Sequence, residues 1–198
     1  MKIVVFKLNK KRIGVTIIII ALMLIMFGMQ SKFSEKIKLT SLVQSNIKSL
    51  KEYKALNSYL TYKLPEDWTA NEEKFSGEEI LYHNNFQSKD LKVHGFIEVW
   101  NLREDLEKFL KRSKEVSSKQ NIIKDYNLVT TRLVGKTAYI IDYTIVNSNN
   151  KAFKSYEYFI KDDDKFTRFS FFVQDNNFKE NMPTIFKSIV QTLSYNNK

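Results

Sequence analysis

The chain has 198 residues, a net charge of +10 and no cysteine, which excludes disulfides, thiolate metal centres and a cysteine nucleophile, and leaves packing alone to hold an exported domain together. Five of its 32 basic residues precede Ile13 with no acidic companion, so half of the net charge lies ahead of that position and the remainder is only mildly basic. Charge scattered in this way reads as a solvated surface, and no nucleic-acid partner is expected.

Residues 1–12 form a short basic tail, expected in the cytoplasm. Residues 13–29, IGVTIIIIALMLIMFGM, are an uninterrupted apolar run without a charge. At helical rise the run covers about 25 Å, a little short of a ~30 Å hydrocarbon core, so the flanks must snorkel or the bilayer must thin. The pattern predicts one transmembrane helix, with the lipid bilayer as its partner. Lys2, Lys7, Lys10, Lys11 and Arg12 outweigh Lys32, Lys36 and Lys38 with Glu35 on the far side, which predicts a single-pass protein of the cell membrane with its C-terminal domain extracytoplasmic. A cleaved signal peptide is the alternative, but Phe27 to Ser31 offer no pair of small residues at −3 and −1, so the span reads as an uncleaved signal-anchor.

Residues 30–57 read as an amphipathic stalk, because Leu39, Val43, Ile47, Leu50 and Tyr53 recur at helical spacing. Such a stripe either pairs two chains as a short coiled coil or packs on its own domain or the membrane surface. Its length, under four heptads, and the flanking Lys48, Lys51 and Lys54 favour the second outcome and a monomer.

Residues 58–198 read as one domain. Tyr59–Leu64 is a strand that ends in a Pro65 turn, after which Trp68 folds back onto the sheet. Ile80–His83 is a second strand. In Lys92–Asn101, a third, Val93, Gly95, Ile97 and Val99 alternate with His94, Phe96, Glu98 and Trp100, giving one core face and one mixed face. Leu102–Ser117 switches to helical spacing, with Leu102, Leu106, Phe109, Leu110 and Val116 on one side. Ile122–Leu133 is extended, and Thr137–Val146, Phe153–Ile160 and Phe166–Gln174 form an antiparallel meander. A closing helix over Met182–Leu193 tolerates Pro183 in its first turn. This order predicts an α+β class in which an antiparallel β-sheet is sandwiched by helices.

Three phrases in this domain resemble the PsbP-like family, known from the extrinsic oxygen-evolving-complex protein of photosystem II and from bacterial relatives. They are Tyr62-Lys63-Leu64-Pro65-Glu66-Asp67-Trp68, Gly135-x-x-Ala138-Tyr139-x-x-Asp142-Tyr143 and Ile185-Phe186-Lys187-Ser188-Ile189. The resemblance spans Ser58 to Tyr195 and implies the family's α+β fold with a non-enzymatic, assembly-related role. A photosynthetic function does not carry over to a membrane-anchored chain of this composition, because fold does not fix function.

No residues assemble a convincing catalytic or cofactor motif. Gly135-Lys136-Thr137 imitates the end of a phosphate loop, but Thr130 stands where the first glycine is required, so a plain β-turn accounts for it. His83, His94 and Glu98 could hold zinc only if they converged, and His94 and Glu98 lie four apart on a strand, about 13 Å along it. Asp162-Asp163-Asp164 lacks the spacing and glycine of a calcium loop. Ser76-Gly77 is not in a nucleophile elbow. An enzyme would have to draw on Glu98 or Asp142 with His94 as acid or base.

The aromatic strands leave two readings: a sheet covered on both faces, or a face that takes a partner, with His94, Phe96, Trp100, Phe169 and Phe171 as the candidates. The reading reached is a non-catalytic, membrane-anchored binding or scaffold protein. It would recruit or stabilise an envelope component, its partner an unidentified envelope protein and its cofactors none. The alternatives are an envelope enzyme or a binder of anionic wall or lipid polymers.

Overall fold

The computed structural model describes residues Ile20, Ile47, 49–90, 92–101 and 104–196. Apart from Ile20, the apolar run lies outside them, as do the tail and the stripe residues Leu39 and Val43. Among the described residues no helix is long and apolar enough to cross a membrane.

The fold lies within the unit Leu42–Lys198. Its strands are β1 (Leu50–Ala55), β2 (Leu60–Pro65), β3 (Thr69–Glu73), β4 (Ile80–Gln87), β5 (Val93–Asn101), β6 (Ile122–Leu133), β7 (Lys136–Val146), β8 (Ala152–Asp162), β9 (Lys165–Gln174) and β10 (Ser194–Tyr195). Its helices are α1 (Leu106–Gln120) and α2 (Met182–Val190). A seven-stranded antiparallel sheet runs β3-β4-β5-β9-β8-β7-β6, and a three-stranded one runs β1-β2-β10.

The expected α+β class with an antiparallel sheet stands, but helices alone do not make the sandwich. One face of the large sheet, carrying Val93, Ile97, Val99, Phe169, Phe171 and Val173, is covered by α2 together with the small sheet through Leu60, Tyr62, Leu64, Phe186 and Ile189. The other face receives α1, whose Leu106 and Leu110 pack on Ile141, Phe159 and Phe166. Asp105 starts this helix four residues later than the apolar spacing suggests, because its Oδ1 accepts from the backbone N–H groups of Glu107 and Lys108 at 3.0 and 3.4 Å. Val116, expected on the buried stripe, is 49% exposed.

The stalk reading needs correction over its last residues. Leu50–Ala55 is a strand, not a helix, and pairs antiparallel with β2. Leu50 and Tyr53 are three apart in either conformation. What decides for the strand is the turn at Leu56, Asn57 and Ser58, all at positive φ, which sends the chain back so that Tyr53 stacks on Tyr62 at 5.5 Å. The folded domain therefore begins before Ser58. Trp68 does return to the sheet, stacked on Phe86 at 5.4 Å.

Candidate functional site

Strand β5 lies between β4 and β9, and its mixed face organises everything on the side of the sheet that α1 only half covers. Three zones follow one another along the strands. At the end under α1, Trp100 stacks on Phe166 with centroids 5.9 Å apart and meets Phe109 at 5.7 Å.

A cluster of buried charge comes next. Arg168 reaches Glu157 through Nε at 2.7 Å and Nη2 at 2.6 Å, and approaches Glu98 at 3.5 Å. The hydroxyls of Tyr143 and Ser170 donate to the Glu157 carboxylate at 2.6 and 3.1 Å, and the Trp100 indole donates to Glu98 at 2.8 Å. Burial alone would lower the Arg168 pKa, but the Glu157 and Glu98 carboxylates outweigh it and hold the guanidinium above its ordinary value. Beside Glu157, burial first and the carboxylate second push the Tyr143 phenol well up.

Hydrogen bonds extend this cluster to His83. The side-chain amide of Asn85 donates to Glu73 Oε1 at 2.8 Å, which leaves its carbonyl Oδ1 facing His83 Nε2 at 2.9 Å. That oxygen can only accept, so Nε2 donates. The other ring nitrogen lies 2.8 Å from a Glu98 oxygen. The cluster thus joins His83 and Arg168 to Glu98 and Glu157 through one continuous set of side-chain contacts. Its polar atoms are satisfied by fixed geometry, the condition under which buried charge is tolerated.

The third zone, at the opposite end from α1, is an open groove of about 720 Å³. Phe96, Phe153 and Phe172 form its floor with Ile145, and Asn71, Gln87 and Asn147 stand around them. His94 stacks on Phe172 at 5.6 Å and meets the edge of Phe153 at 5.9 Å. Although part of the ring is open to solvent, desolvation by these neighbours holds its pKa below the ordinary value. The groove shares a wall with the charged cluster: Asn85 and Glu73 line it, and Phe96 lies under Arg168, 4.8 Å from the guanidinium. None of the described lining residues is Lys or Arg, in a chain with 32 of them.

The structure divides the sequence candidates. His94 and Phe96 face the groove. Trp100 is held under α1, and Phe169 and Phe171 are fully buried in the core on the opposite sheet face, so these three do not present a partner surface. Strand alternation explains the error: Phe169 and Phe171 are out of phase with Phe172, and only the last reaches the groove. His94, Glu98 and Asp142 are not brought together, since Glu98 binds His83 and Arg168 while Asp142, on the other face, accepts from Asn127 at 3.0 Å. Glu98 meets His83 rather than His94 because β4 and β5 pair His83 directly with Glu98, a long-range register that spacing along one strand does not reveal. No group of three potential metal ligands occurs among the described residues. The aspartate run is divided in function: Asp162 is buried and binds Tyr59 and Lys136, while Asp164 pairs with Lys165 at 2.6 Å. Gly135 lies with Val134, both at positive φ, in the two-residue turn of the β6–β7 hairpin, and Lys136 and Thr137 begin β7.

No protein-family model matches the sequence, and no curated protein is similar to it. Solved structures are similar to its fold. The cyanobacterial PsbP protein of Synechocystis sp. PCC 6803 matches 75% of this chain and 93% of its own length, at 12% identity and a TM-score of 0.58. A protein of Bacteroides thetaiotaomicron matches 75% and 49% at 11% identity and a TM-score of 0.49. LpqN of Mycobacterium tuberculosis, described as involved in cell envelope biogenesis, matches 73% and 90% at 11% identity and a TM-score of 0.44. The antiparallel sheet with its two helices and added small sheet is a PsbP-like fold.

Proposed function

We propose that the protein is a non-catalytic binding module, displayed outside the cell membrane by the apolar run at residues 13–29, which recruits or stabilises an envelope component through the groove at His94 and Phe96. The observation that carries this reading is that α1 covers only half of its sheet face. No described element covers the other half, which has an aromatic floor with polar side chains around it, a combination found in binding pockets. The titratable groups nearest the floor support binding rather than chemistry. Glu98, Glu157, Arg168 and His83 are engaged with one another, and Glu73, the one carboxylate among the described lining residues, is tied to Asn85. The absence of Lys and Arg from the lining speaks against an anionic wall or lipid polymer as the groove's ligand.

The test is affinity capture with the full-length protein from solubilised membranes, compared with Asn71→Trp, which fills the groove from the exposed edge strand β3. An envelope component should be enriched by the wild type and lost with the variant. Identical captured material from both would remove the groove from the function.

A further inference from the structure

The groove's own chemistry narrows what it takes, an inference that rests on the binding reading above. Most of its described polar groups are uncharged and open to hydrogen bonding by a ligand. The side-chain amides of Asn71 and Gln87 and both ring nitrogens of His94 have no hydrogen-bond partner among the described residues, and Asn147 uses only its Oδ1, toward the backbone N–H groups of Asn149 and Lys151 at 3.0 Å each. Each of these side chains can donate and accept. The one carboxylate of the lining, Glu73, is tied to Asn85.

We propose that the groove binds a neutral oligosaccharide, its apolar C–H faces resting on Phe96, Phe153 and Phe172 and its hydroxyls exchanging hydrogen bonds with Asn71, Gln87, His94 and Asn147. The match is chemical. A sugar hydroxyl needs a donor and an acceptor together, which amides and a neutral imidazole supply and which a lone cation or carboxylate does not. A lipid acyl chain would fill the floor but strip water from these amides and the imidazole without giving them partners. A phosphate-bearing polymer would meet no cation among the described lining residues. Desolvation, which keeps His94 toward its neutral form, preserves its acceptor nitrogen. At about 720 Å³ the groove falls in the size range of small-molecule sites, and its open mouth suits one end or one stretch of a chain.

The experiment uses the full chain in phosphatidylcholine nanodiscs, free of glycosidic detergent, titrated calorimetrically with the β-1,4-linked tetramer of N-acetylglucosamine and the α-1,4-linked tetramer of glucose. Poly(glycerol phosphate) and an uncharged extended peptide serve as comparison ligands. Saturable binding of at least one tetramer is expected, weakened at least tenfold in Asn71→Ala and in His94→Ala, both at solvent-accessible positions, with unchanged circular dichroism. The proposal is overturned if neither tetramer saturates, or if both variants bind as the wild type does. Failure of the class separates from failure of the site. Binding of the peptide or the phosphate polymer that Asn71→Trp abolishes keeps the groove as the binding site and removes the saccharide. A groove that takes none of the four ligands, together with capture from membranes that Asn71→Trp leaves intact, removes the binding reading as well.

Discussion

Gly95 shows how much the groove owes to a single residue beneath it. It sits on the core side of β5, directly under the floor strand, and a Cβ there would lie 1.9 Å from the Ser170 carbonyl oxygen and 2.7 Å from the Phe86 ring. The backbone oxygen belongs to β9 and cannot move aside without shifting the ladder that aligns Phe96 with Ser170 and His94 with Phe172. Gly95→Ala should therefore destabilise the protein by about 3 kcal/mol or more, the upper end of overpacking costs, as measured by chemical denaturation. A loss within the range of ordinary surface changes would mean that β5 and β9 are not so closely apposed. On the other face of the same strand, His94 gives a pH signature with a definite sign. Desolvation disfavours its charged form in the folded protein, so the unfolded chain takes up the proton first as pH falls through the ordinary value of 6.5. Stability contributed at neutral pH is thus lost on acidification through that region, and the loss levels off below the folded value. Subtracting the stability of His94→Gln from that of the wild type, pH by pH, should isolate this component; a difference that grows toward neutral pH is expected, and a flat one would place the ring in water.

At the level of elements, the sequence was legible where a segment has one apolar face and illegible where pairing partners decide. The meander β7-β8-β9 and the alternation within β5 are written in β-branched and aromatic residues, and the structure follows them to within a few positions. Strand β3, Thr-Ala-Asn-Glu-Glu, carries no such pattern, being an exposed edge that pairs on one side only. Strand β4 extends past His83 through Asn84, Asn85 and Gln87, whose polarity conceals a strand because Asn84 bonds to Tyr62, Asn85 bonds to His83 and Glu73, and Gln87 faces the groove. The site was half legible for the same reason. His94 and Phe96 could be placed on one face of β5, but that His83 binds Glu98, and that Arg168 bridges Glu98 and Glu157, depends on strands brought together across as many as 70 positions. Strand β1 carries its own prediction. It supplies the partner ring for Tyr62, a residue with no exposed surface, and one of the two neighbours of β2. A fragment beginning at Ser58 should lose cooperative unfolding and become protease-sensitive, whereas one beginning at Leu42 should keep both. Equal resistance of the two fragments would show β1 to be dispensable.

At the scale of the whole molecule, one labelling measurement tests the proposed external location of the domain and the proposed occupancy of its groove together. The chain has no cysteine, so a single introduced thiol is unambiguous. Thr69→Cys places one on the groove's rim, and Glu52→Cys places one on the exposed strand β1, away from it. Intact cells are treated with a membrane-impermeant maleimide, and washed, detergent-opened membranes are treated in parallel. Glu52→Cys is expected to label in both samples, while Thr69→Cys labels slowly in cells and freely once membranes are opened and washed, because the resident ligand has left the groove. If neither thiol labels until the cells are broken, the domain is not outside; if Thr69→Cys labels in intact cells as fast as Glu52→Cys does, the groove is empty there and the binding role assigned to it is contradicted.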